Sequence, residues 1–127
     1  MRLTRRRAYA LITRKGKVLL VKNRRGNWTL PGGKAHTGEK LREAATREVK
    51  EETGMSIKVR ERVSGEHIRH HRAPCSRCVV FAASVKKGDP KPQREIVEIA
   101  WVKPSKAPGK LRSYRAKEIR RMLAKVG

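Results

Sequence analysis

Gly33, five residues, Glu39, seven residues, then Arg47-Glu48-Val49-Lys50-Glu51-Glu52-Thr53-Gly54-Met55: the reading of this stretch decides the fold of the chain. Seven residue types at fixed spacing, with two aliphatic positions, arise at a given start point on the order of once in a billion if each type has a frequency of about one in twenty. From about Lys40 to Thr53 the residues are mostly good helix formers with no Pro and no internal Gly, and Gly54 follows where a left-handed residue would end the helix. At about 100° per residue, Glu48, Glu51 and Glu52 fall within an arc of roughly 100°, shared with Leu41, Ala44 and Ala45 of the preceding turns. A charge run usually marks a solvated helix face. Here the carboxylates share the apolar side, where three like charges repel and raise one another's pKa unless a cation stands between them. Mg²⁺ or Mn²⁺, hard cations that take carboxylate oxygens, would relieve that repulsion, and Glu48, Glu51 and Glu52 are the candidate ligands. Arg47, four residues before Glu51, is placed to fix that side chain's direction, and Glu43, four before Arg47, to extend the chain of pairs.

Ahead of the helix, Asn27-Trp28-Thr29-Leu30-Pro31-Gly32-Gly33-Lys34 reads as a short strand that breaks at Pro31 and turns through two glycines, which let backbone approach a ligand or metal closely. With the stretch that follows, this run resembles the Nudix hydrolases, tightly from Gly33 to Met55 and loosely over the rest of the chain. The resemblance implies an α/β fold, a Nudix-type α/β/α sandwich with a mixed β-sheet between helices. It also implies hydrolysis of a phosphoanhydride bond in a nucleoside diphosphate-linked substrate, with the divalent metal neutralising the diphosphate. A backbone carbonyl at Gly33 would join Glu48, Glu51 and Glu52 on that metal, and Arg47, Glu51 and Glu52 would be catalytic. Lys34 would reach a substrate phosphate as a point charge, with Arg24 and Trp28 as further candidate substrate contacts. In many Nudix enzymes a glutamate from a later strand reaches the metals or acts as general base. Glu95 and Glu98 are the candidates here, and strand alternation, which puts Glu98 on one face with Ile96, favours Glu98.

Charge is the second unusual feature. Thirty-four Lys and Arg stand against 11 acids, giving +23 at neutral pH, and Glu39, Glu43, Glu48, Glu51 and Glu52 all belong to the motif. The remaining surface is therefore more basic still. Such a field steers polyanions and suits nucleotides, polyphosphates or RNA ends, and a basic surface binds nucleic acid nonspecifically. Two Trp, two Tyr and one Phe form no stacking array of the kind single-strand binders use.

At 127 residues the chain is expected to form one domain, spanning 1–127, with a modest single core, as a monomer or homodimer. No apolar run approaches the roughly 20 residues of a membrane span, and Ala8 to Ile12 is too short for a secretory core segment, so the expected location is cytoplasmic. Ala8–Thr13 and Val18–Lys22 read as strands joined at Arg14-Lys15-Gly16, followed by a strand at Trp28–Leu30 and, after the helix, one near Ser56–Val63. Cys78–Val85 is an apolar, β-branched run expected to be central; Lys86 to Pro92 reads as a loop, and Ile96–Val102 as a strand. Pro104–Gly109 breaks the chain, and Tyr114 to Val126 carries helical spacing at Ile119, Met122, Leu123 and Val126.

Cys75 and Cys78, with His67, His70 and His71 nearby, invite a zinc reading, but no second pair stands at standard spacing. Contact of that polar loop with substrate phosphates is the functional expectation, and Cys78 reads as a buried small side chain. Within the resemblance, ADP-ribose-specific members tend to carry a Pro about fifteen residues past the motif, where this chain has His70 and His71. Dinucleoside polyphosphate hydrolases tend to carry a Tyr there, and this chain has none between Tyr9 and Tyr114. The default expectation is a (deoxy)nucleoside triphosphate cleaved to monophosphate and pyrophosphate. The alternatives are action on RNA 5′ ends, ADP-ribose or dinucleoside polyphosphates, or a non-catalytic nucleotide- or RNA-binding domain.

Overall fold

Lys15 and Gly16 both hold left-handed φ, 52° and 75°, the geometry of a two-residue hairpin turn whose twist matches its flanking strands. They join β1 (Arg6–Arg14) to β2 (Lys17–Asn23) in a computed structural model that describes residues 6–65, 77–112 and 114–126. The two strands pair at Thr13–Val18 and Arg14–Lys17 and then diverge. Two short strands fill the opening: β3 (Trp28–Thr29) pairs with β2, and β4 (Gly32–Lys34) pairs with β1 from Arg7 to Tyr9. Pro31, which has no N–H to offer a ladder, lies between them, and its carbonyl accepts the Ala10 amide at 2.9 Å.

On its other edge β1 runs parallel to β6 (Arg77–Lys87), and β5 (Ser56–Arg62) pairs antiparallel with β6. β7 (Ile96–Val102) pairs antiparallel with β2. The sheet is thus seven-stranded and mixed. Strand alternation sorts its side chains onto two faces. Ala8, Ala10, Ile12, Leu19, Val79 and Ala83 pack towards α1 (Leu41–Thr53), where Ala44, Ala45 and Val49 are fully buried. Tyr9, Leu11, Val18, Leu20, Val80 and Val102 pack with Ile119 and Met122 of the last helix, Ala116–Val126. One helix on each face of the sheet gives the expected α/β/α sandwich.

Four sequence expectations are corrected. The turn read at Gly32–Gly33 is extended, forming β4. The run Pro104–Gly109 does not simply break the chain: a 3₁₀ turn at Pro104–Lys106 leads into a short helix, α2 (Ala107–Lys110). Pro108 fits there because the first turn of a helix does not need its N–H. With α2 counted, the last helix is α3, and it starts at Ala116 rather than Tyr114. The loop expected from Lys86 begins later, since β6 runs to Lys87.

Gly32 has φ 143°, and a Cβ there would meet the Ala8 carbonyl oxygen, a backbone atom that cannot swing aside. Gly38, with φ 80°, faces open space. Gly32→Ala is therefore expected to cost roughly 3 kcal/mol or more, and Gly38→Ala about 1 to 2 kcal/mol for the left-handed backbone alone. Urea unfolding of the two variants checks this; equal costs would mean that the β1–β4 approach is not tight.

Candidate functional site

Helix α1 begins without a side-chain acceptor at its first cap, Lys40, whose amide instead donates to Glu43 Oε1 at 3.0 Å. Glu43 is therefore occupied with capping and does not extend the pairs from Arg47 as its spacing predicts. Glu39 takes that part. Its carboxylate accepts the His36 amide at 2.9 Å and both Nε and Nη2 of Arg47, at 2.9 and 3.0 Å. At the other end, Gly54 is left-handed at φ 79°, and its N–H closes on the Lys50 carbonyl at 2.8 Å. The Lys91 and Gln93 amides then take the carbonyls of Thr53 and Glu52, at 2.9 and 3.0 Å, so the 91–95 loop folds over the end of the helix.

Arg47 is the hub. Its Nη1 donates to Glu48 Oε2 and to Glu51 Oε1, both at 2.9 Å, and its Nη2 reaches the Lys34 carbonyl at 3.0 Å as well as Glu39. Glu51 is held from the other side by Arg94 Nη1 at 2.7 Å. Arg94 has left-handed φ, 57°, at the tip of the loop that covers the helix end. No motif or spacing marks Arg94 as this partner, because it is brought in by loop geometry.

Glu52 lies beyond these guanidinium groups. It is 5% exposed and accepts the Gly32 amide at 3.0 Å. Gly33 is needed for a different reason: a Cβ there would stand 2.7 Å from Glu48 Oε1. Glu39, Glu48 and Glu52 are driven apart in acidity. Hydrogen bonding from Arg47 pulls Glu39 down to about 2. Burial, with repulsion from Glu48, Glu95 and Glu51, pushes Glu52 up to about 8 against the opposing Gly32 hydrogen bond. Burial also raises Glu48, partly offset by Arg47 and reinforced by Glu51 and Glu95.

The structure thus brings Gly33, Arg47, Glu48, Glu51 and Glu52 together. It separates the two later glutamates. Glu98, opposite Lys22 on β2, forms an exposed ion pair with it at 3.8 Å. Glu95, just ahead of β7, is the one whose charge acts on Glu48 and Glu52. Alternation within β7 does not extend to Glu95, which precedes the strand. Lys34 is exposed on β4, and Arg24 is exposed in the β2–β3 turn. The amines of Lys22 and Lys110 lie 5.8 and 4.9 Å from the ring centre of Trp28. Trp28 lines a cavity of about 310 Å³ with Asn27, Lys110 and Arg112. His67, His70, His71 and Cys75 lie outside the described residues. Cys78 is buried and disulfide-bonded, so its sulfur is no thiolate ligand for zinc.

Among the described residues, no three carboxylate, imidazole or thiolate groups converge at metal-ligand spacing, since Arg47 bridges the helix carboxylates. The fit of a hard dication rests on donor chemistry. Glu52 is a buried carboxyl with one amide donor and no cation, beside Glu48 and Glu51, and all three offer oxygen alone.

A profile for the NUDIX domain matches residues 3–126. Over 40 residues the chain is 52% identical to the uncharacterized Nudix hydrolase YvcI of Bacillus subtilis, covering 32% of this chain and 25% of that protein. It is 31% identical over 100 residues to an ADP-ribose pyrophosphatase of Methanocaldococcus jannaschii, covering 70% of this chain and 59% of the relative. The chain therefore spans less than two thirds of the length of either curated relative. The crystal structure of a MutT protein from Methanosarcina mazei superposes with TM-score 0.77 at 27% identity, covering 97% of this chain and 95% of that one.

The raised Glu52 sets a pH dependence in metal-free protein. The folded state keeps a proton up to about pH 8 that the unfolded chain releases near its ordinary value of 4.5. That contribution to stability is present below 4.5 and lost as pH rises through about 8. Glu39 acts oppositely, stabilising above 4.5 and losing its contribution as pH falls towards about 2. In chelator, the melting temperature should drop between about pH 5 and about pH 8.5, and Glu52→Gln, which cannot ionise, should flatten that drop. Parallel pH profiles for the two proteins would show that Glu52 does not titrate as described.

Proposed function

This chain belongs to the Nudix family, and on that premise we propose that it is a divalent-metal-dependent pyrophosphohydrolase acting on a nucleoside diphosphate-linked substrate. The observation that carries the reading is the buried Glu52 carboxyl, beside Glu48 and Glu51 and against the Gly32–Gly33 backbone, with the Gly32 amide as its hydrogen-bond donor. Glu48, Glu51 and Glu52, with the carbonyl of Gly33, would hold Mg²⁺ or Mn²⁺. When bound, the ion supplies positive charge against the diphosphate and makes a water more acidic.

The protein's own groups do the rest. Arg47 aims Glu48 and Glu51 and keeps Glu39 ionised, so it positions without touching substrate. Glu95, exposed and close enough to act on Glu48 and Glu52, takes the proton of the attacking water; Glu98, tied to Lys22, does not. Lys34 and Arg24 contact phosphate, and Trp28 offers its ring to the nucleoside in the cavity with Asn27, Lys110 and Arg112. Attack at phosphorus on a nucleoside triphosphate yields the monophosphate and pyrophosphate. ADP-ribose is the second substrate reading, favoured by the name of the Methanocaldococcus jannaschii relative. The protein acts in an aqueous compartment, with the cytoplasm as its proposed location. Among the described residues no helix is long and apolar enough to cross a membrane.

A panel of nucleoside triphosphates, ADP-ribose and dinucleoside polyphosphates, with and without Mg²⁺, tests the activity; full turnover in excess chelator would overturn it. Glu51→Gln and Glu52→Gln should each lower kcat by about a hundredfold or more with folding intact, because lost charge stabilisation is felt in the transition state. Glu43→Gln, at a capping position, should change kcat less than about twofold.

A separate comparison distinguishes the two later glutamates. Glu95→Gln should lower kcat by about tenfold to a hundredfold and remove the limb of the pH profile set by the proton acceptor. Glu98→Gln should leave both unchanged. The reverse pattern would return the role to Glu98.

A further inference from the structure

A second basic feature stands apart from the carboxylates. Arg6, Lys40, Arg42, Arg62 and Arg77 wall a groove of about 610 Å³ at the start of α1, between that helix and the β1–β6 side of the sheet. Glu39 is the one acid of its lining, and that carboxylate is already paired with Arg47. The groove therefore presents net positive charge, and it meets the carboxylate network only through Glu39.

Its floor is what separates it from the general +23 background. Phe81 is 6% exposed, and the exposed Arg42 lies over its ring with the guanidinium carbon 5.1 Å from the centroid. Arg42 Nη1 also leans on the Val59 carbonyl at 3.5 Å. Arg42 thus stays exposed while its guanidinium lies over an aromatic ring, and guanidinium planes stack on nucleobases. Evenly spread charge attracts any polyanion, whereas a stacking plane ringed by cations suits alternating phosphates and bases. A membrane surface fits poorly: the exposed large hydrophobic among the described residues is Val97, on β7, and the groove has no side chain to insert.

We propose that this groove binds single-stranded nucleic acid, with phosphates on its cations and a base on the outer face of Arg42. The single platform is consistent with a chain whose few aromatics form no array. The site is independent of phosphoanhydride hydrolysis and needs no metal.

The test uses the full chain in chelator and a fluorescent single-stranded oligoribonucleotide with a 5′-hydroxyl end, which has no anhydride bond to cut. Arg42→Ala with Arg62→Ala should weaken binding by about tenfold, as expected from losing one stacking contact and two charges. Lys117→Ala with Arg120→Ala removes the same charge from the exposed side of α3 and should weaken it by less than about twofold. Equal losses would mean that only the overall field acts, and would overturn the groove. Arg42→Lys keeps the charge but not the plane. It should lose about threefold on the oligonucleotide and nothing on inorganic polyphosphate; identical changes on both probes would overturn nucleic-acid recognition. Should the double variant fail to fold, Arg42→Ala alone carries the test, with about a threefold loss expected and wild-type affinity overturning the proposal. Because no metal is present, failure here leaves the hydrolase reading intact, and an inactive hydrolase would leave this one intact.

Discussion

All five N–H bonds of the Arg47 guanidinium end on oxygens of the site: two on Glu39, one on the Lys34 carbonyl, and one each on Glu48 and Glu51. These contacts tie together the loop before α1, strand β4 and the last turns of the helix. A lysine has three donors on a point charge and could not span them. Glu39, within reach of Arg47, is held strongly ionised, while Glu52, just beyond it, is pushed towards the neutral form. One guanidinium thus divides four carboxylates into those it neutralises and the one left for something else to neutralise.

The backbone has to be close for this to work. Because β1 and β2 diverge after their hairpin, β4 can enter beside β1 and put Gly32 and Gly33 against Glu52 and Glu48. The α1 side of the sheet is lined partly by Ala8 and Ala10, and α1 meets it with Ala44 and Ala45, so helix and sheet approach closely. Bulkier side chains fill the opposite face under α3. A buried Glu52 without a cation opposes folding, so the aliphatic core must offset a functional cluster that is itself unfavourable.

Charge is distributed as unevenly as the packing. Five of the 11 acids stand in the motif, and the rest of the surface carries the excess of Lys and Arg. A small acidic centre within a basic field attracts cations at one point of a surface that otherwise attracts polyanions. The Trp28 cavity and the Arg42–Phe81 groove are two places where that field becomes specific, each pairing cations with an aromatic ring.

By itself the sequence determined what depends on neighbours along the chain. Helix α1 and its Gly54 stop, the Arg47–Glu51 pair, the burial of Glu52 with Ala44 and Ala45, and the alternation of β1 and β2 follow from helical and strand periodicity. Tertiary structure alone decided what depends on register between distant segments. It replaced Glu43 by Glu39 as the partner of Arg47, drew Gly32–Lys34 into the sheet, brought Arg94 onto Glu51 across 43 positions, and let the charge of Glu95 act on Glu48 and Glu52. A helix fixes its own i to i+4 neighbours through local hydrogen bonds. Which loop folds over its end is set by strand pairings and loop closure that no single stretch of sequence contains.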